Sequence, residues 1–306
     1  MSGAIDLSGR VAVVTGSGRG LGRAYAVALA AAGAAIVVND VDGEAAAETA
    51  AAIADAGGKA TTVVAAVGSS ETADALVAAA VDSFGRLDVM CTNAGVLRDR
   101  VLWKMSDEDF DLVVETHLRG TFTCARAAAI HMREAGEGGR LILVGSPAGQ
   151  RGNFGQTNYS AAKAGIVCFA RTWAMELARA EITVNAIVPT AWTAMTASIP
   201  AYAPLVERVE AGQALPRQVR QAHAVGMPED CAPLVVFLAS AASSGITGQA
   251  IGLGGDKLTM WTHPAEAASA FMDGGWSADQ IAESWTTTIG PSSQSYGVQL
   301  PELDLG

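Results

Sequence analysis

Basic residues are scarce in this chain. Lysine and arginine number 20 against 31 aspartates and glutamates in 306 residues, a net charge of −11. That is the wrong sign for gripping nucleic acid or an anionic membrane surface. Charge of either sign is sparse at 17% while hydrophobic residues reach 50%, so a large core covered on both faces is expected. Cysteines are few, and Cys91, Cys124, Cys168 and Cys231 are scattered without C-x-x-C spacing or clustered histidines. This excludes a disulfide framework and a metal site, and suits reduced, mostly buried thiols in a cytoplasmic protein. No apolar run is long enough to span a bilayer. The first ten residues lack a basic region followed by an apolar stretch, so no secretory leader is expected.

Strand and helix signals alternate without a linker from residue 11 to residue 254. This predicts one doubly wound α/β domain. Residues 11–15 form an apolar β-branched run of the kind that suits a strand buried on both faces. Thr15, Gly16, Ser17, Gly18, Arg19, Gly20, Leu21 and Gly22 follow, then an alanine-rich helical stretch to residue 32. Glycines there let backbone N–H groups approach a pyrophosphate at a helix N-terminus. A second apolar run, residues 35–38, ends at Asn39-Asp40. A carboxylate at that distance beyond the glycines can accept hydrogen bonds from an adenosine ribose diol and repels a 2′-phosphate, so NAD is favoured over NADP. Arg19 pulls weakly the other way. Asp40 also has a structural reading, as the N-cap of a helix over residues 44–56.

Further on, residues 60–67, 87–92, 140–146, 182–188 and 246–255 read as strands, which with the first two gives seven. Helical patterns fall at 71–84, 106–133, 159–179 and 229–239. Ser106 and Asp109 suit the start of the second of these. Asn93-Ala94-Gly95, Ser146 and Pro189 all follow strand ends, where ligands of such sheets sit. Tyr159 and Lys163 are one helical turn apart and share a face, with Ser146 thirteen positions earlier (159 − 146 = 13). An ammonium beside a phenol lowers its pKa and readies it for proton exchange with an alcohol or carbonyl. The plainer reading is a solvent-facing pair on an ordinary helix. Residues 190–226 have mixed character and fit either a lid over a substrate or a structured surface excursion. Trp192, Met195, Tyr202 and Leu205 are its candidate lining.

These motifs resemble the short-chain dehydrogenase/reductase family over about residues 5–255: T-G-S-G-R-G-L-G at 15–22, T-N-A-G at 92–95, Ser146, Y-S-A-A-K at 159–163 and Gly254-Gly255. The resemblance implies a Rossmann domain over residues 1–255 with a seven-stranded parallel sheet and a C-terminal extension over 256–306. It implies Tyr159 as the acid/base, Ser146 positioning the reacting oxygen, and Lys163 also holding the nicotinamide ribose. Gly16, Ser17, Arg19, Gly20, Leu21, Gly22, Asp40, Asn93, Ala94, Gly95, Pro189 and Thr193 are the remaining expected NAD contacts. Residues 95–100, 106–110, 117–120 and 152–156 are similar to the 3-hydroxyacyl-CoA dehydrogenase unit of the peroxisomal multifunctional enzymes of type 2. That branch and its bacterial 17β-hydroxysteroid dehydrogenase-like relatives act on lipid alcohols.

Three positions depart from the wider family pattern. His117 stands where many members have a catalytic asparagine, and is either part of a water-borne proton relay or a packed structural residue. Ala66 replaces an adenine-contacting aspartate, and Pro189-Thr190 replaces Pro-Gly, leaving carboxamide contacts to backbone or Thr193. The resemblance also implies a homodimer or homotetramer formed through helices around 106–133 and 157–179. The expected activity is NAD-dependent oxidation of a lipid-like secondary alcohol. The rivals are an NADPH-dependent 3-ketoacyl reductase and a catalytically silent NAD-binding regulatory protein. The tail, with Trp261, Trp276 and Trp285 expected to be packed, can brace the lid, reach a neighbouring subunit or cap the core.

Overall fold

The computed structural model describes residues 5–197, 202–298 and 300–302. Residues 198–201 of the expected lid and the side chain of Met195 lie outside the described residues, as do both chain ends. The first half alternates β1 (Val11–Thr15), α1 (Gly20–Ala31), β2 (Ala35–Asp40), α2 (Gly43–Asp55), β3 (Lys59–Val64), α3 (Ser70–Phe84) and β4 (Val89–Thr92). Then come α4 (Asp107–Val114), a π turn (Glu115–Arg119), α5 (Gly120–Ala135), β5 (Gly139–Val144), α6 (Pro147–Arg151), α7 (Thr157–Glu176) and β6 (Ile182–Pro189). The rest is α8 (Ala194–Ala197), α9 (Ala203–Glu210), α10 (Arg217–Gln221), α11 (Pro228–Ala239), β7 (Ala250–Gly254), β8 (Lys257–Trp261) and α12 (Ala278–Ser284).

The sheet order is β3-β2-β1-β4-β5-β6-β7-β8. The order reverses between β1 and β4, which opens a crevice at the carboxyl ends of these strands. Every residue of β1 and β5 is buried, because helices cover both faces. One core holds Tyr25, Leu29, Leu234 and Leu238 from α1 and α11. The other holds Leu76, Met132 and Ile166 from α3, α5 and α7.

Two expectations are corrected. The sheet has eight strands, not seven, and the last runs antiparallel to β7, pairing Gly254 with Lys257 and Ala250 with Trp261. Gly255, at φ +52°, allows the two-residue hairpin that folds residues 257–261 back onto the sheet edge. Of the tail tryptophans expected to be packed, Trp261 packs against the second core, but Trp276 is 37% and Trp285 47% exposed, and Phe271 is 91% exposed. The end of the tail is nonetheless anchored. The Gly297 N–H donates to the Arg151 carbonyl at 2.7 Å, and the Gln218 amide donates to the Glu302 carbonyl at 2.9 Å.

The described residues of the 190–226 segment form a small core of their own. Trp192, Tyr202, Leu205, Leu215, Val219 and Val225 cluster together, and the Tyr202 hydroxyl meets His223 Nδ1 at 3.0 Å.

Candidate active site

At the carboxyl ends of the strands lies a cavity of about 780 Å³. The glycine-rich turn after β1 forms one wall. A side chain at Gly22 would place its Cβ 2.1 Å from the Gly16 carbonyl oxygen, so only glycine lets the turn close this tightly. Asn93 pins that turn through its amide, which donates to the Thr15 and Gly16 carbonyls at 3.0 Å each. The Thr15 hydroxyl accepts from the Asn93 and Ala94 N–H groups. Asp40, at the tip of β2, accepts from the Gly18 N–H at 2.9 Å and the Asp42 N–H at 3.1 Å. The N-cap reading of Asp40 is overturned, since Asp42 caps α2 by accepting from Glu44 and Ala45. Asp42 also pairs with Arg19, so the cation expected to favour a 2′-phosphate already has a carboxylate partner.

Of the expected cofactor contacts, Gly16, Arg19, Gly20, Leu21, Gly22, Asp40, Asn93, Ala94, Gly95, Pro189 and Thr193 line the cavity. Ser17 is the exception. It is fully buried, its hydroxyl donates to the Val14 carbonyl at 2.7 Å, and its N–H donates to the Asn39 carbonyl. Its role is to tie the turn to β2. Ala65, Ala66 and Val67 give the far wall an apolar surface, in keeping with the missing aspartate at position 66. Of the expected apolar lining within the described residues, Trp192 faces the cavity, whereas Tyr202 and Leu205 sit in the small core of the 190–226 segment.

Ser146, Tyr159, Lys163 and His117 line the same cavity. Ser146 follows β5 and caps α6, its hydroxyl accepting from the Ala148 N–H at 3.2 Å. Tyr159 sits in the first turn of α7, and its N–H donates to Asn158 Oδ1. Lys163, one turn on, donates from Nζ to the Val144 carbonyl at 2.6 Å, with Nζ 5.6 Å from the Tyr159 ring centroid.

The expected acidic phenol is corrected. Burial raises the Tyr159 pKa, a hydrogen bond with Ser146 opposes it, and the Asp99 charge raises it further. Burial also pulls Lys163 down to about 7. The physical reason is shared: both groups lie in a desolvated pocket, where each charged form is disfavoured. Near neutral pH, then, the lysine exchanges its proton easily while the phenol keeps its own.

His117 is buried in the π turn and meets the Tyr159 ring edge-on, centroids 5.1 Å apart at 87°. Its Nε2 lies 2.8 Å from the Val96 carbonyl oxygen and 3.1 Å from the Val96 nitrogen, and its Nδ1 has no partner. Burial, followed by the Lys163 charge, lowers its pKa to about 3. The ring is therefore neutral at physiological pH. Thr15 and Asp42 were not anticipated; only the strand-turn-helix context and the Asp42-Gly43-Glu44 cap pattern could have signalled them.

Residues 10–202 match the short chain dehydrogenase family. The chain belongs to that family. This dehydrogenase is 43% identical over 295 residues to the hydroxyacyl-CoA dehydrogenase ChsB1 of Mycobacterium tuberculosis, covering 92% of this chain and 86% of that one. It is 42% identical over 247 residues to the peroxisomal multifunctional enzyme type 2 of Mus musculus, covering 78% of this chain but only 31% of the longer mouse protein. The crystal structure of a short chain dehydrogenase from Mycobacterium avium superposes with a TM-score of 0.82 at 36% identity, covering 97% and 99% of the two chains. The dehydrogenase is thus an oxidoreductase of a nicotinamide-binding family. Among the described residues no helix is long and apolar enough to cross a membrane, and no cluster of potential metal ligands occurs.

Proposed function

We propose that this dehydrogenase oxidises a secondary alcohol of a lipid-like substrate, of 3-hydroxyacyl-CoA or 17β-hydroxysteroid type, using NAD. The observation that carries the reading is the shared cavity, with Asp40 at its adenosine end and Ser146, Tyr159 and Lys163 at its other end. The cradle fits the cofactor: Gly20, with open space where a Cβ would stand, lines the cavity at the N-terminus of α1, where backbone N–H groups can meet a pyrophosphate, and Asp40 offers carboxylate oxygens to a ribose diol. When bound, the nicotinamide ring supplies the hydride acceptor.

The chain's own residues do the rest. Ser146 hydrogen-bonds the substrate oxygen and fixes its carbon in a reactive orientation. In its phenolate form, which the raised pKa places at alkaline pH, Tyr159 accepts the hydroxyl proton at its phenolic oxygen. Lys163, with its pKa near neutrality, relays that proton and helps hold the ribose. His117 is read as a positioning residue that braces the Tyr159 ring and the 93–96 turn. Trp192 adds an apolar wall to the cavity from the 190–226 segment. The assembly proposed is a cytoplasmic homodimer or homotetramer, supported by apolar side chains left exposed on α5 and α7, including Ile130 and Met175.

The test is NADH formation at neutral to alkaline pH with a 3-hydroxyacyl-CoA and with a 17β-hydroxysteroid, repeated with NADP. Turnover preferring NAD supports the proposal. Faster turnover with NADP points to the 3-ketoacyl reductase. NAD binding without turnover on any alcohol makes the protein a silent binder.

A further inference from the structure

We propose that the loop of residues 96–105, together with Phe154, forms a rim that binds the nucleotide end of a coenzyme A thioester. This rests on the hydroxyacyl-thioester reading of the site and selects it over the steroid, which carries no phosphate.

The loop departs from the chain's own electrostatics. Residues 96–105 contain Arg98, Arg100 and Lys104 against a single acid, Asp99, a local charge of 3 − 1 = +2 in a protein of net charge −11. These cations are exposed and largely unpaired. Arg98 and Arg100 each donate from Nη1 to the carbonyl of the preceding residue, at 2.7 and 2.9 Å. Arg100 reaches Asp109 only at 4.0 Å, and among the described residues Arg98 and Lys104 enter no ion pair. The nearest acid is already engaged, since the Gln156 amide donates to Asp99 Oδ2 at 2.8 Å. Asp107 and Glu108 follow at the start of α4, where the helix N-terminus favours carboxylates.

Large apolar groups stand among the cations. Trp103 is 77% exposed and Phe154 85% exposed. Trp103 shares the loop with the three cations, and Phe154 precedes Gly155, whose carbonyl accepts from the Arg100 N–H. Exposed aromatic faces and free guanidinium groups on one rim suit an adenine ring next to phosphates, since the ring can stack and arginine can grip phosphate oxygens in a fork.

The rim is fixed to the catalytic helix. The Asn158 amide, one residue before Tyr159, donates to the Arg98 carbonyl at 3.1 Å. The Arg100 N–H donates to the Gly155 carbonyl at 2.8 Å. Val96 lines the cavity and, with Leu97, packs against Tyr159. A ligand held by the rim therefore extends naturally toward the phenol, and the outer cations lie further along the same loop.

The experiment titrates free coenzyme A into the protein by calorimetry, with NAD at saturation so that its adenine site is filled. The wild type is compared with Arg98→Ala/Arg100→Ala/Lys104→Ala and with Trp103→Ala. The milder Lys104→Ala serves if the triple variant does not fold. Binding that weakens at least tenfold in the triple variant, and that falls steeply with added salt, supports the rim. Equal affinity in wild type and variants, or no binding to the wild type, overturns it. So does finding Trp103 buried between subunits in solution. A parallel assay keeps the two claims apart by using a 3-hydroxyacyl N-acetylcysteamine thioester, which lacks the nucleotide. Failure on both thioesters sinks the oxidation reading; turnover of both with equal kcat/KM sinks only the rim.

Discussion

Replacing Asp40 with asparagine should move cofactor preference by orders of magnitude, and the structure sets the size. The Asp40 carboxylate is fixed by N–H groups of Gly18 and Asp42, at 2.9 and 3.1 Å. It cannot easily swing away from an added phosphate. Two unit charges about 4 Å apart interact by about 4 kcal/mol at an effective dielectric of 20. A phosphate bears nearly two charges, while solvent at the cavity edge and salt take much of that back. A net penalty of about 3–4 kcal/mol corresponds to roughly a 10²- to 10³-fold bias against NADP. Asp40→Asn keeps the shape and one acceptor oxygen while deleting the charge. NADP affinity should rise by about two orders of magnitude, whereas loss of a charge-assisted bond weakens NAD by about tenfold. Arg19 sharpens the case, because its partner Asp42 holds it. Adding Asp42→Ser preserves a helix-capping oxygen, frees Arg19, and should strengthen NADP binding again. Dissociation constants for both nucleotides, measured by calorimetry at two salt concentrations, decide the matter. If Asp40→Asn leaves NADP affinity where it was, the carboxylate does not face the 2′ position and the argument fails.

Three further outcomes are expected. The Lys163 pKa, lowered by burial from 10.5 to about 7, means that the unfolded chain binds more protons than the folded one between those values. The Lys163 contribution to stability should therefore rise between about pH 7 and 9, by about 2 kcal/mol, below the range where the buried cysteines, raised to about 12, act the other way. The difference in denaturant midpoint between wild type and Lys163→Met should show that slope. The raised Tyr159 pKa puts the base form at alkaline pH, so kcat/KM for oxidation should climb with pH and that for ketone reduction should fall; a flat profile counts against Tyr159. At Gly95 a Cβ would stand 2.2 Å from His117 Cε1, so Gly95→Ala should destabilise by about 1–3 kcal/mol, read from thermal melts, and adding His117→Ala should recover most of it.

Much of this was visible in the sequence because the signals are local. The run from β1 through the glycines to Asp40 depends on β-branched residues, a turn without Cβ atoms and a helix start, all contiguous. Tyr159 and Lys163 needed only helical spacing. What stayed hidden depends on tertiary surroundings. Ser17 sits among glycines that touch the cavity, yet its hydroxyl points to the Val14 carbonyl. Tyr202 and Leu205 looked like ligand lining because apolar side chains suit both a pocket and a lid core. The hairpin that adds β8 turns on the backbone at Gly255. The sign of the Tyr159 shift followed from burial of the whole pair, which spacing does not report. His117 faces inward because a π turn locally rewinds the helix, and no residue pattern announced it.

The most direct measurement is single-turnover NADH formation from a 3-hydroxyacyl thioester by Tyr159→Phe, with NAD affinity measured alongside. NAD should still bind within a few-fold of wild type while the rate falls about a thousandfold. A variant that turns over at the wild-type rate would show that the phenolic oxygen carries no proton in this reaction.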